Sequence, residues 1–253
     1  LLLLAFFVSS TLLSRAGKAR KRELVDIGKG GARDAAQVLA NGGVATVCAV
    51  VWALADRGSG SSLWFIAFAG AYAAATADTW GTEIGTLAAE APRSVVTGKP
   101  IATGLSGGVT PAGTSAEFAG AVLIGVLTPF ALILALPGDN ATVQLPMPSL
   151  LFPLLGMRAP FAAFALLTIV TVFLGGFAGA WIDSLLGETL QDRRWCPSCE
   201  RECETDPHVC GTPTERRRGF PWMSNDAVNF AATLSGAIVA SLIALAIHHT
   251  LGI

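Results

Sequence analysis

Four carboxylates stand where apolar stretches of this sequence run out. Asp78 and Glu83 lie in ATADTWGTEIG, and Asp183 and Glu188 lie in WIDSLLGETL. Each pair follows a run rich in Gly and Ala, AFAGAYAAAT in one case and FLGGFAGAW in the other. Ionised groups at such a boundary are costly and mark function. Four acids brought together repel one another and call for a cation between them. A hard divalent ion suits them, because Mg2+ is held by one or two carboxylates and completes its shell with water and substrate phosphates. The plainer alternative is that interfacial water solvates these acids and that they cap nearby helices.

A phosphate-binding partner for such an ion is present in the sequence. The segment TGKPIATGLSGGVTPAGT (97–114) is dense in Gly, Thr and Ser and contains Lys99. Successive backbone N–H groups in a loop of this kind form an anion nest, and Ser106, Gly107, Gly108, Gly113 and Thr114 are its candidate members. The segment then enters an apolar helix, whose N-terminus adds positive dipole. Amides stand at the ends of other apolar stretches: Asn41 in QVLANGG, and Asn225 and Asn229 in SNDAVNF. Asn225 and Asn229 are one helical turn apart and share a face. Asn225 also suits a helix N-cap, whereas Asn229 lies inside the helix and needs a polar partner. Neither G-x-x-x-x-G-K-[ST] nor G-x-G-x-x-G occurs, so a nucleotide site here is of another type.

The third constellation is CPSCERECETDPHVCG (196–211). Cys196, Cys199, His208 and Cys210 make a thiolate-rich set of four, as a tetrahedral Zn2+ requires, and Cys203 is left spare. Zinc in such a set is expected to be structural, tying down a long loop; inert free thiols are the competing reading. Cys48 reads as a small apolar filler within a span. His248 and His249 have no evident partner.

The elements that must position these groups are membrane helices. Of the 253 residues 52% are hydrophobic and only 14% charged, against about 25% charged in soluble domains. The net charge of −1 does not point to nucleic acid. A span needs about 20 apolar residues, and six candidates fit: 1–13, 37–55, 63–80, 116–136, 161–182 and 227–250. The first, LLLLAFFVSSTLL, reads as the tail of a span that begins upstream. The Pro-rich stretch 145–157 reads as a loop or re-entrant piece. The expected fold is therefore all-α, a single polytopic membrane domain over 1–253, with one long loop at 183–226 holding the Cys/His cluster.

Fifteen of the seventeen Lys and Arg residues fall in three alternate loops, 14–36, 81–115 and 183–226. The positive-inside rule places these loops, and with them all four carboxylates, on the cytoplasmic side. Asp78–Glu83 and Asp183–Glu188 also sit at matching places in two units. Each unit opens on a Gly-rich loop, GKGGARD and GLSGGVTPAGT, which indicates a parallel internal repeat. Residues i and i+5 lie roughly 140° apart on a straight helix. The spacing therefore predicts a helix break near Gly81, and another near Gly187, so that the acids can turn into one site.

Taken in order, QVLANGG, ATADTWGTEIG, SGGVTPAGT, DSLLGETLQ, CPSC…HVCG and SNDAVN resemble the integral membrane family that contains plant phytyl-phosphate kinase and transmembrane protein 19. The likeness runs from about residue 33 to 235. One departure is Leu105, where the family pattern leads one to expect Thr. The resemblance implies a kinase that converts a prenyl monophosphate to the diphosphate, with CTP as the preferred donor. On that reading Asp78, Glu83 and Asp183 hold Mg2+, with Glu188 in the same catalytic group. Arg33, Lys99 and the loop 104–114 bind donor phosphates, and Asn41, Asn225 and Asn229 orient phosphate or metal ligands. The prenyl tail lies between Gly/Ala-rich helices in contact with lipid. The competing function is a transporter or channel for an ion or phosphorylated lipid, for which repeated units and acids beside helix breaks are equally suited.

Overall fold

The computed structural model describes residues 1–24, 34–55, 61–135 and 159–251. Arg33 and the stretch 145–157 lie outside the described residues. Within them run six helices: α1 (Leu2–Leu24), α2 (Ala35–Leu54), α3 (Ser61–Gly85), α4 (Pro111–Ala135), α5 (Ala159–Thr189) and α6 (Asn225–Leu251). α2, α4, α5 and α6 are each long and apolar enough to cross a membrane, while the apolar part of α1 is the shorter Leu2–Ala16. The architecture is the expected helical membrane bundle. α1 continues beyond the predicted span of 1–13 into the basic segment that follows, because helix formation does not require apolar residues.

α3 is the centre of the bundle and packs against α1, α2, α4, α5 and α6. Its middle is almost all alanine, and Ala69, Ala71, Ala73, Ala74 and Ala77 are fully buried. Small side chains let neighbouring backbones approach, which is how helices associate where lipid supplies no hydrophobic drive. Glycines make the approach closer still. A Cβ built on Gly236 of α6 would lie 2.7 Å from both Gly70 O and Ala74 Cβ of α3. One built on Gly179 of α5 would lie 2.6 Å from Ala74 Cβ and 2.8 Å from Ala232 O. A small-residue seam thus joins α3, α5 and α6. On the other side of α3, Phe65, Phe68 and Tyr72 form a chain of ring contacts that reaches Trp52 of α2 and Phe6 of α1.

The predicted breaks at Gly81 and Gly187 do not occur: α3 is helical through Gly85 and α5 through Thr189. Both glycines serve packing instead. A Cβ on Gly81 would fall 2.5 Å from Glu117 Cγ of α4, and one on Gly187 would fall 2.8 Å from Ser106 Cβ. With the helices intact, the long loop begins after Thr189 rather than at 183. It is also not purely irregular. β3 (Arg193–Cys196), β4 (Arg201–Cys203) and β5 (Glu215–Arg218) form an antiparallel sheet in the order β4-β3-β5, with Cys196 opposite Arg201 and a bulge between Arg193 and Arg194. A two-residue ladder, β1 (Arg93–Ser94) with β2 (Gly108–Val109), brackets the Gly-rich loop.

Candidate functional site

The bundle end where α3 and α5 finish and α2, α4 and α6 begin contains a cavity of about 400 Å³. Its wall includes Asp78, Glu83, Asp183, Asn41, Ser106, Gly107, Gly108, Gly113, Thr114, Asn225 and Asn229. Most of the residues singled out in the sequence therefore meet. Asp78 and Asp183 come from different helices and lie within hydrogen-bonding reach of each other. Two carboxylates so placed require a proton or a cation between them. Asp183 Oδ2 is buried with no hydrogen-bond partner, as a metal-facing oxygen would be.

Glu83 also lines the cavity, but it leans towards α1, where Ser14 Oγ donates to it at 2.7 Å. The unbroken helix explains this, since a residue five positions from Asp78 points well away from it. Two acids that sequence reading did not single out complete the wall. Glu117 stands one turn beyond Gly113 on α4 and is buried against Gly81. Glu204 arrives from the far loop. Its carboxylate accepts from Ser106 N–H at 2.7 Å, Ser106 Oγ at 3.0 Å and Gln191 Nε2 at 2.8 Å. Burial pushes the Glu204 carboxyl above its ordinary range, although the two Ser106 donors pull the other way. The signal for Glu117 was a lone acid inside an apolar span. Nothing local marks Glu204.

Two predicted residues fall elsewhere. Glu188 is absent from the cavity wall and is paired with Arg193 at 3.6 Å and Arg218 at 3.3 Å. It lies at the end of α5, where the turn into β3 brings Arg193 and the paired strand β5 brings Arg218. Lys99 is exposed and away from the cavity wall. The ladder that receives Ser94 N–H on Lys99 O, with the turn at Gly98 (φ +68°), carries its side chain to the outside. Among the described residues, no Lys or Arg lines the cavity.

Positive potential comes from backbone instead. Gln37, Thr114 and Asn225 place the first turns of α2, α4 and α6 in the wall, and helix N-termini favour anions. Each start has its own cap. Asp34 accepts from Gln37 N–H at 2.9 Å, and Thr110 Oγ1 from Gly113 N–H at 3.0 Å, with Pro111 in the favoured first position. Ser224 Oγ accepts from Ala227 N–H at 3.3 Å. Ser224, and not Asn225, is therefore the cap of α6, which leaves the Asn225 amide for the cavity. Leu105, found where Thr was expected, is buried and turned into the wall as an apolar plug.

The Cys/His constellation also comes together. The ligand atoms of Cys196, Cys199, His208 and Cys210 all lie within 4.8 Å of one another. Cys196 Sγ is 3.6 Å from Cys210 Sγ, and His208 Nδ1 is 3.2 Å from the same sulfur. The neighbouring Cys210 and burial push Cys199 up to about 12, while Thr212 and His208 hold Cys210 down at about 6. Cys203 is buried, and its sulfur lies 3.9 Å from Thr205 O instead.

Residues 1–237 match the family model described as "Integral membrane protein DUF92". Protein PGR of Arabidopsis thaliana is 30% identical over 253 residues, covering 95% of this chain and 80% of its own length. An uncharacterized membrane protein of Methanocaldococcus jannaschii is 37% identical over 130 residues, which is 50% of either chain. No solved structure matches.

Proposed function

The chain belongs to the DUF92 family of integral membrane proteins, and from that premise we propose that it is a Mg2+-dependent kinase. Its substrate on this reading is a prenyl monophosphate, such as phytyl or geranylgeranyl phosphate, which it converts to the diphosphate. One observation carries the reading: the Asp78–Asp183 pair shares a single cavity with the first turns of three helices and a Gly-rich loop. Carboxylates and helix N-termini around one space are what a cation bridged to phosphates requires.

Asp78 and Asp183 are the residues to hold Mg2+, with Glu117 beside them and Glu83 at the rim. When bound there the ion neutralises charge on the transferring phosphoryl group. The first turns of α2, α4 and α6 and the N–H groups of Gly104 and Gly107, the loop amides not already bonded to Ala102, Glu204 or Leu105, bind the donor phosphates, which we take to be those of CTP. Asn41, Asn225 and Asn229 orient them. An oxygen of the acceptor phosphate attacks the γ-phosphorus, the bond to the bridging oxygen breaks, and the nucleoside diphosphate leaves. The acceptor is already anionic near neutral pH, so positioning rather than a strong base is what the protein must provide. The prenyl tail extends along small-residue helices towards lipid. The placement of Lys and Arg supports a cavity open to the cytoplasm, where the soluble donor is found.

A transporter or channel for an ion or phosphorylated lipid is the second reading, and five carboxylates in a cavity whose described wall holds no Lys or Arg support it for a cation. The position of the acids at one bundle end, away from its middle, supports the kinase. The test is purified protein with Mg2+, a prenyl monophosphate and each of the four nucleoside triphosphates in turn. Formation of prenyl diphosphate is expected, most rapidly with CTP. No diphosphate with any donor sinks the proposal for these substrates.

A further inference from the structure

The segment from Gln191 to Met223 has almost no apolar interior. Its buried side chains are Gln191, Arg193, Cys196, Cys203, His208 and Met223, while Val209, Phe220 and Trp222 are exposed. A unit of this size that lacks a core is ordinarily held by disulfides or a metal. Yet it performs a demanding task at the cavity. Ser106 is gripped on both sides by this segment. Glu204 takes its N–H and hydroxyl, and Arg193 Nη2 donates to its carbonyl at 2.7 Å. Arg193 starts β3, and Glu204 directly follows β4, the strand paired with β3. One two-stranded hairpin thus holds a residue of the Gly-rich loop in place.

The same hairpin carries the sulfur cluster. Cys196 ends β3, Cys199 is in the turn between the strands, and His208 and Cys210 follow β4 through the tight turn closed by Gly211 N–H to His208 O at 2.7 Å. Four ligand atoms within 4.8 Å of one another fit one tetrahedral ion with metal–sulfur bonds of about 2.3 Å. They are too close together to hold a cluster of two metals. Cys196 and His208 are fully buried, and His208 Nε2 has no partner. The orientation leaves Nδ1, on the side of Cys210, as the ligand nitrogen.

We propose that Cys196, Cys199, His208 and Cys210 bind one Zn2+, and that this ion clamps the β3–β4 hairpin onto Ser106 so that the Gly-rich loop keeps its shape at the cavity. The ion acts through Glu204 and Arg193 and has no contact with substrate. Zinc occupancy therefore controls the order of a loop far from the zinc ligands in sequence. The metal site stands whether or not the kinase reading does.

Two measurements on the full chain in detergent, purified without a histidine tag, test it. Elemental analysis is expected to give one zinc per chain, lost in His208→Ala and Cys210→Ser and kept in Cys203→Ala. Should the ligand variants fail to fold, mercurial titration of the wild-type protein is expected to release one zinc. A monodisperse protein without zinc overturns the site. So does zinc retained by both ligand variants, a Cys196–Cys210 disulfide by mass, or iron–thiolate absorption. Hydrogen exchange of the peptide covering 101–110 is then compared before and after metal removal. Exchange about tenfold faster after removal, and in Glu204→Ala with zinc still bound, is expected for a lost clamp. Unchanged exchange overturns the coupling.

Discussion

Gly81 of α3 lies beneath the side chain of Glu117 of α4, so closely that a Cβ on the glycine would fall 2.5 Å from Glu117 Cγ and 2.8 Å from Oε1. The glycine is the notch that lets Glu117 reach the cavity. The atoms in the way belong to a flexible side chain, so a methyl group there moves the carboxylate rather than the helices. Gly81→Ala is expected to fold with a thermal midpoint near wild type and to bind Mg2+ about tenfold more weakly, a change of about 1.4 kcal/mol. A Mg2+ titration of activity or of bound heat reads it, and an unaltered titration contradicts the notch.

Asp78 and Asp183 act as one unit in the proposed chemistry. Asp78→Asn and Asp183→Asn are each expected to lower turnover by about 10²-fold or more, on the scale of losing a single transition-state contact. The double variant should be little worse than either alone, as for groups that share one task. Single-turnover rates at saturating Mg2+ decide the matter. Full activity in Asp78→Asn removes the metal-ligand assignment.

Glu188 belongs to stability. It is 12% exposed and pairs with Arg193, which is 1% exposed and keeps Glu202 and Ser106 O as further partners. Glu188→Gln is expected to cost about 1–3 kcal/mol, below the 3–5 of a fully orphaned buried charge. Thermal unfolding should register the loss while the Mg2+ affinity stays as it was.

The α3–α5–α6 seam is expected to tolerate no added bulk. Gly236→Val would drive a side chain into Gly70 O, a backbone atom 2.7 Å from the Cβ position, and into Ala74. Backbone cannot swing aside, so the cost is at the upper end of overpacking, about 3 kcal/mol. Thermal midpoint and monodispersity in detergent read it. A wild-type midpoint would mean that the helices are not in contact there.

Sequence patterns located the helices and most of the cavity wall because both are written locally. Apolar runs mark spans, and an acid or amide at the edge of one is conspicuous. Asp78, Asp183, Asn41, Asn225 and Asn229 were legible in this way, as was the Cys/His set from its spacing. The role of Gly81 was not, since a helical glycine looks the same whether it ends a helix or makes room for a neighbour. Glu204 was invisible for a different reason. Its partner Ser106 is 98 residues away, and only the β3–β4 hairpin brings them together. Glu188 misled because its motif matches that of Glu83, while the arginines that claim it come from the loop beyond.

α3 has the fullest set of helical neighbours in the bundle, yet it is not among the four helices apolar enough to cross a membrane unaided. Its alanines are matched to other helices rather than to lipid. Packing of α3 among α4, α5 and α6 and assembly of the cavity that Asp78 helps to line are therefore one event.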